Sequence, residues 1–223
     1  KRRGQLEWEA RQFLPDDLRS YALDCFTTTR AVFVVAARRE GIEEVTAICR
    51  GAGIPRPRVD AAPLALCNAA ESSGASAPVG IDLVLDFAGD RATMILLDRG
   101  EVAAVEFCSW DGRYAPYAQG AVDIQEDGEA AAAAADPARG EQLSRSLRRL
   151  MDLELGGENP DRVWLSGREA LDGWPQEVET RLSLGSRTLN PFADVDTAGA
   201  EEVADPFAFA TAAGLAFRGL SEA

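Results

Sequence analysis

Apolar positions along this chain follow two periods, about 3.6 residues in some stretches and 2 in others, and the period separates helix from strand. In "GQLEWEARQFLP", Leu6, Ala10 and Phe13 lie at helical spacing, and Pro15 ends the run because its ring cannot continue the hydrogen-bond ladder. "RSYALDCF" alternates as a strand and "TTTR" turns it. The continuous apolar run "AVFVVAA" then predicts a second strand, covered on both faces. Next, "REGIEEVTAICRGAGIP" predicts a helix with Ile42, Val45, Ile48 and Cys49 on one side, Gly51 and Gly53 as candidate C-cap glycines and Pro55 just beyond. "RVDAAPLALCNAAES" reads as a short strand leading into a helix of small residues.

The loop "ESSGASAP" (71 to 78) is the natural internal boundary, giving segments 1–77 and 78–223. Beyond it, "VGIDLVLDFAG", "RATMILLD" and "EVAAVEFCSW" are three strands joined by "GD" and "RG" turns, an antiparallel meander. Periodicity is lost from Gly112 to Gly140, where the alanine run has no apolar face to bury, so that segment is expected to be a surface linker. It returns in "EQLSRSLRRLMDLEL", with Leu143, Leu147, Leu150, Met151 and Leu155 inward and Arg145, Arg148 and Arg149 outward. "DRVWLSG" is a buried strand, "WPQEVETRLSLG" a helix with Pro175 near its start, and "PFAFATAAGLAFRGL" a closing helix suited by its small residues to lie against a sheet. Helices alternating with sheet elements give a layered α/β class.

Composition narrows the chemistry. With 223 residues, 46% hydrophobic and 27% charged, the chain has ample core material, and no run approaches the roughly 20 apolar residues of a membrane helix. The 37 acidic side chains against 23 basic ones, a net −14, disfavour nucleic acid and anionic membranes. There is no histidine, and Lys1 is the single lysine, so Ser-His-Asp, Cys-His and lysine-dependent chemistry are excluded. Cys25, Cys49, Cys67 and Cys108 are too dispersed for a zinc motif and read as inert thiols of a reducing compartment. Asp16 with Asp17 and Glu43 with Glu44 are adjacent carboxylates that do not converge on one substrate, so no catalytic residue and no metal site is expected. The start at Lys1 has neither a methionine nor a signal h-region and reads as a trimmed N-terminus.

Several stretches, in order, resemble the PilM-like family of type IV pilus assembly proteins in the actin-like superfamily, to which FtsA and the cytoplasmic part of GspL are related. "LEWEARQFLPDDLRSYALDCF" and "VFVVAARREGIEEVTAICRGAGIPRPRVDAAPLAL" are similar to the family's inserted small subdomain and return helix. "VLDFAGDRATMILLDRGEV" resembles its second phosphate hairpin, "VWLSGREAL" the adenosine-side strand and turn, "LNPF" a short segment near the end and "FATAAGLAFRGL" the closing helix. The resemblance implies an actin-like (ribonuclease H-like) α/β fold of two subdomains. Residues 1–77 would be a partial first subdomain carrying the small insertion, and 78–223 the second. The family's N-terminal phosphate-loop hairpin has no counterpart, and the linker 112–140 stands where the family carries more helix.

In this fold two glycine hairpins cradle the phosphates while an aspartate positions the metal or its water. By resemblance the nucleotide-binding candidates are Asp86, Gly89, Ser166 and Gly167. Ala88 replaces a family glycine, Asp90 adds negative charge, and Arg168 and Glu169 replace glycines after Ser166 and Gly167. "DFAGD" also reads as an ordinary hairpin turn. The resemblance therefore implies a non-enzymatic scaffold without cofactor. It would sit in the cytoplasm at the inner membrane of a type IV pilus or type II secretion platform. There it would dock the tail of a PilN-like or GspL-associated protein, within residues 5–70, with a motor ATPase as a further partner. The alternative is an active actin-like ATPase that binds Mg-ATP and polymerises.

Overall fold

The computed structural model describes residues 2–75, 78–89, 91–110, 137–168, 170, 173–195 and 205–221. Two compact units divide the chain, residues 1–61 and a larger one beginning at Ala62, so the boundary expected at 77–78 falls inside the second unit. The reason is the helix Ala62–Ser72, whose main packing partner is the closing helix of the same unit.

The first unit holds α1 (Arg2–Arg11), β1 (Tyr21–Thr27), β2 (Val32–Arg38) and α2 (Arg39–Gly51). β1 and β2 pair antiparallel from Tyr21↔Arg38 to Thr27↔Val32, with Phe26 and Phe33 stacked at 4.9 Å. Thr28 shapes the connection: its hydroxyl accepts from the Arg30 and Ala31 amides. Asp16 is committed locally, to the Arg38 guanidinium at 2.7 Å and the Tyr21 hydroxyl at 3.4 Å, and Asp17 caps the turn Leu18–Ser20. The expectation that β2 is covered on both faces fails: every second residue is open, with Val32 49% and Val34 37% exposed. No strand forms between α2 and α3, where Pro55 and Pro57 lack the N–H that a ladder requires.

In the second unit α3 (Ala62–Ser72) precedes the meander β3 (Ile81–Ala88), β4 (Arg91–Asp98) and β5 (Glu101–Ser109). Arg99 and Gly100 both take positive φ between β4 and β5, the left-handed turn that matches strand twist. α4 (Pro137–Leu155) follows, then β6 (Arg162–Ser166), α5 (Trp174–Leu182), β7 (Ser186–Thr188) and α6 (Ala210–Ser221). α4 starts at Pro137, within the expected linker 112–140; residues 112–136 of that linker lie outside the described residues. β6 runs parallel to β3 and β7 parallel to β6, so the sheet order is β5-β4-β3-β6-β7. The strand β7 has no sequence signal, being three residues long.

Strand alternation divides the sheet. Leu83, Leu85 and Phe87 of β3, Met94 and Leu96 of β4, and Val163 and Leu165 of β6 join Leu143, Leu147 and Leu150 of α4 and Trp174 and Val178 of α5 in one buried cluster. Phe87 stacks on Trp174 at 4.5 Å, which stacks on Trp110 at 5.3 Å. Cys108 is buried here and burial pushes its thiol up, whereas Cys25 is exposed and Cys49 and Cys67 are half-buried. α6 packs closely on helix α3: a side chain at Gly214 would overlap the Ala65 carbonyl, and only glycine permits the approach.

On the other face of β3, Asp82 is 0% exposed and accepts from Arg162 Nε at 2.6 Å, Arg162 Nη2 at 2.8 Å and the Trp164 indole at 3.1 Å. Removing one member of such a group leaves the other charge buried and uncompensated. Arg162→Ala is therefore expected to lower unfolding free energy on the order of 3 kcal/mol in urea titration. A loss below about 1 kcal/mol would show that the pair behaves as a surface contact.

Candidate functional site

The five residues of β6 and their partners in β3 carry a matched pattern. β3 places Asp82, Val84 and Asp86 on one face; β6 places Arg162, Trp164 and Ser166 on the same face, and the parallel register sets Asp82 beside Arg162 and Asp86 beside Ser166. The candidate site is the second of these pairs, at the C-terminal ends of both strands, where open α/β sheets bind ligands.

There the Ser166 hydroxyl donates to Asp86 Oδ1 at 2.8 Å, with the Phe207 carbonyl a longer 3.4 Å away. The Gly167 amide donates to that same Phe207 carbonyl at 3.1 Å. Phe207 belongs to the turn Pro206–Phe209 that leads into α6, so the chain's closing segment seats on the end of β6. Gly167 has φ +92°, and any Cβ there would overlap the Phe87 carbonyl oxygen and lie 2.7 Å from the Phe87 nitrogen. Glycine at this position is therefore a requirement of strand packing.

Burial is the larger influence on Asp86 and holds its carboxyl above the usual aspartate range; the Ser166 hydrogen bond and the Arg91 charge pull the other way without reversing it. Ala88 and Gly89 are exposed at the β3–β4 turn, where Gly89 takes φ +43° and the turn needs its glycine. Asp90 and Glu169 lie outside the described residues.

The structure thus gathers Asp86, Ser166 and Gly167 within one hydrogen-bonded group and leaves Gly89 on the adjoining turn. Phe207 joins the group through its backbone carbonyl, which no side-chain pattern signals. Asp82 and Arg162 were also missed, although "IDLVLD" beside "RVWLS" holds their signal once the strands are paired in register. Among the described residues no group of three His, Cys, Asp or Glu side chains could hold a metal ion.

Two outcomes follow. Because the folded-state pKa of Asp86 is raised, its stability contribution is complete below the unfolded value and lost as pH rises through the folded one. Asp86→Asn is thus expected to gain stability relative to the parent between acid and neutral pH in urea titrations; parallel pH profiles would contradict the burial argument. Gly167→Ala combines a left-handed φ with backbone overlap and is expected to cost more than about 2 kcal/mol. Unchanged thermal unfolding would refute the close approach.

No family model matches the chain, and no curated protein sequence matches it. Solved structures do. The chain is similar to one in the structure of a PilM–PilN type IV pilus biogenesis complex, with TM-score 0.70 and 22% identity over 98% of this chain and 72% of that one. It is also similar to a protein of unknown function with an actin-like ATPase fold from Bacteroides thetaiotaomicron VPI-5482. There the TM-score is 0.55 and the identity 10%, over 96% of this chain and 65% of that one. At these identities the likeness is one of fold, and with the mixed five-stranded sheet described above it establishes that the chain has the actin-like ATPase fold.

Proposed function

We propose that this chain is a non-enzymatic scaffold in the inner-membrane platform of a type IV pilus or type II secretion system, where it docks the cytoplasmic tail of a PilN-like membrane protein. The observation that carries this reading is mutual satisfaction at the sheet ends: the Ser166 hydroxyl serves Asp86 and the Gly167 amide serves Phe207. A polyphosphate needs convergent N–H donors and low negative charge, whereas Asp86 brings a carboxylate and Ala88 carries a Cβ where the resembled family has glycine. These residues fit a nucleotide poorly. The pilus context is supported by the likeness to the PilM–PilN complex across 98% of the chain.

Docking falls to residues 5–70 in this reading, and the first unit suits it because among its described residues only Tyr21 is buried. Peripheral association agrees with the described helices, none of which is long and apolar enough to cross a membrane. A motor ATPase of the same platform is the further partner, and GspL-type assemblies are the related setting.

Isothermal titration with millimolar Mg-ATP and, separately, with a PilN-like cytoplasmic tail peptide tests the proposal. The expected result is saturable heat from the peptide and none from the nucleotide. Saturable nucleotide heat that Asp86→Asn abolishes would instead favour the alternative, an actin-like protein that binds Mg-ATP at this site. Absence of peptide heat would remove the docking role.

A further inference from the structure

Strand β2 leaves one of its edges without a partner. In an antiparallel ladder, pairs that exchange hydrogen bonds alternate with pairs whose amides and carbonyls point outward. The Thr28 amide donates to the Ala31 carbonyl at 2.9 Å, one step beyond the last pair Thr27↔Val32, and this fixes the phase. Phe26↔Phe33, Asp24↔Val35 and Ala22↔Ala37 are therefore the bonded pairs, and the backbone groups of Val32, Val34 and Ala36 face away from β1. Among the described residues β2 pairs with β1 alone.

The two edges of this hairpin differ. On β1 the outward Tyr21 amide donates to the Leu18 carbonyl, and the outward Cys25 amide donates to the Asp24 carboxylate at 2.8 Å. That edge is occupied by its own chain and carries a charge. On β2 no charged residue, proline or register shift interrupts Val32 to Ala37, and these are the devices by which proteins keep an edge from pairing. Val32, Val34 and Ala36 also place their side chains together on one exposed face. A row of outward N–H and C=O groups at alternate residues is matched by an extended chain, not by a helix or a small ligand.

The residues of the edge match a second copy of themselves. Antiparallel pairing of two β2 strands about a two-fold axis at Val34 sets Val34 against Val34 and Val32 against Ala36, larger against smaller, and gives every outward amide and carbonyl a partner. An axis at Val32 or at Ala36 would instead set Arg30 or Arg38 against Val34. In the Val34 register Arg30 of one copy meets Arg38 of the other, but Arg38 is already compensated by Asp16 at 2.7 Å. Charge on the larger scale agrees. Residues 1–61 hold 11 basic and 9 acidic side chains, net +2, against net −16 in residues 62–223, so two copies repel each other least through the first unit.

We infer that the outer edge of β2 is a self-association surface, through which two copies of this chain pair at Val32, Val34 and Ala36 into a four-stranded antiparallel sheet of order β1-β2-β2-β1. A lone two-stranded sheet is marginal in water, and pairing takes it past the three strands that independent stability requires. This role goes beyond the docking reading and does not rest on it.

The test uses the full chain. Sedimentation velocity over a rising concentration series is expected to show the mass approaching twice that of the monomer. In the paired sheet the exposed Cys25, directly opposite Val34, lies three strand spacings, roughly 14 Å, from Cys25 of the other copy. A bis-maleimide of matching reach is expected to give a covalent dimer from the parent chain and none from Cys25→Ser. Val34→Lys brings two charges together at the axis, and Val34→Pro removes an outward amide that β1 does not use; each is expected to leave the chain monomeric. Thr27→Lys, at an exposed position of β1, is expected to leave it dimeric. Circular dichroism checks the fold of each variant, and the crosslink on the parent chain reads the register without them. A monomer at every concentration, a dimer that survives both Val34 variants, or a dimer without the Cys25 crosslink overturns the inference. A chain that stays monomeric while Val34→Lys abolishes binding of a PilN-like tail peptide refutes self-association and leaves the docking reading standing, with the edge taking a partner's strand.

Discussion

The parallel pairing of β3 with β6 is the constraint on which the larger unit depends. It joins segments 80 residues apart, so its closure entropy must be offset by contacts formed only in the correct register. Two side-chain pairs on one face supply them: Asp82 with Arg162 at one end, Asp86 with Ser166 at the other. A one-residue slip would turn Asp82 and Asp86 into the apolar cluster with Trp174 and Leu143, so register and charge burial are fixed together. Gly167 completes the lock by letting the end of β6 approach Phe87 closer than any side chain would permit.

That same lock limits what the sheet ends can do. Asp86, Ser166 and Gly167 occupy the place where this fold class binds ligands, yet each has an internal partner, and the partner of Gly167 comes from the closing segment at Phe207. The first unit has the opposite character. Its two-stranded sheet buries only Tyr21 fully among the described residues, and so small a sheet is marginal without further cover. Apolar surface left open on α2 and β2 is the material from which an interface is made. The contrast follows from packing: the larger unit encloses an apolar cluster, while the described residues of the first leave apolar side chains such as Val32, Val34 and Ile48 open.

Much of this was legible in the sequence because the strong elements carry their own period. β3, β4 and β5 with their Gly-containing turns, α4 with Leu143, Leu147 and Leu150, and the actin-like resemblance of "VLDFAGDRATMILLDRGEV" needed no tertiary information. What escaped depends on neighbours distant in sequence. "AVFVVAA" is apolar throughout, but a strand's two faces cannot be told covered from uncovered without knowing what packs on them. The small residues of α6 signalled close approach correctly, though nothing local says whether the surface approached is a sheet or, as at Ala65, another helix. At the site, the resemblance assigns Asp86, Ser166 and Gly167 to a nucleotide, while the bond from Ser166 to Asp86 depends on the pairing of β3 with β6 and the bond from the Gly167 amide to Phe207 on the closing segment.

Hydrogen exchange at the Gly167 amide and along residues 86–91, with and without millimolar Mg-ATP, shows whether the groups at the ends of β3 and β6 are held by partners within the chain. Strong protection of the Gly167 amide in the isolated chain, unchanged on adding nucleotide, is the expected result. An unprotected Gly167 amide, or added protection across both segments with Mg-ATP, would contradict it.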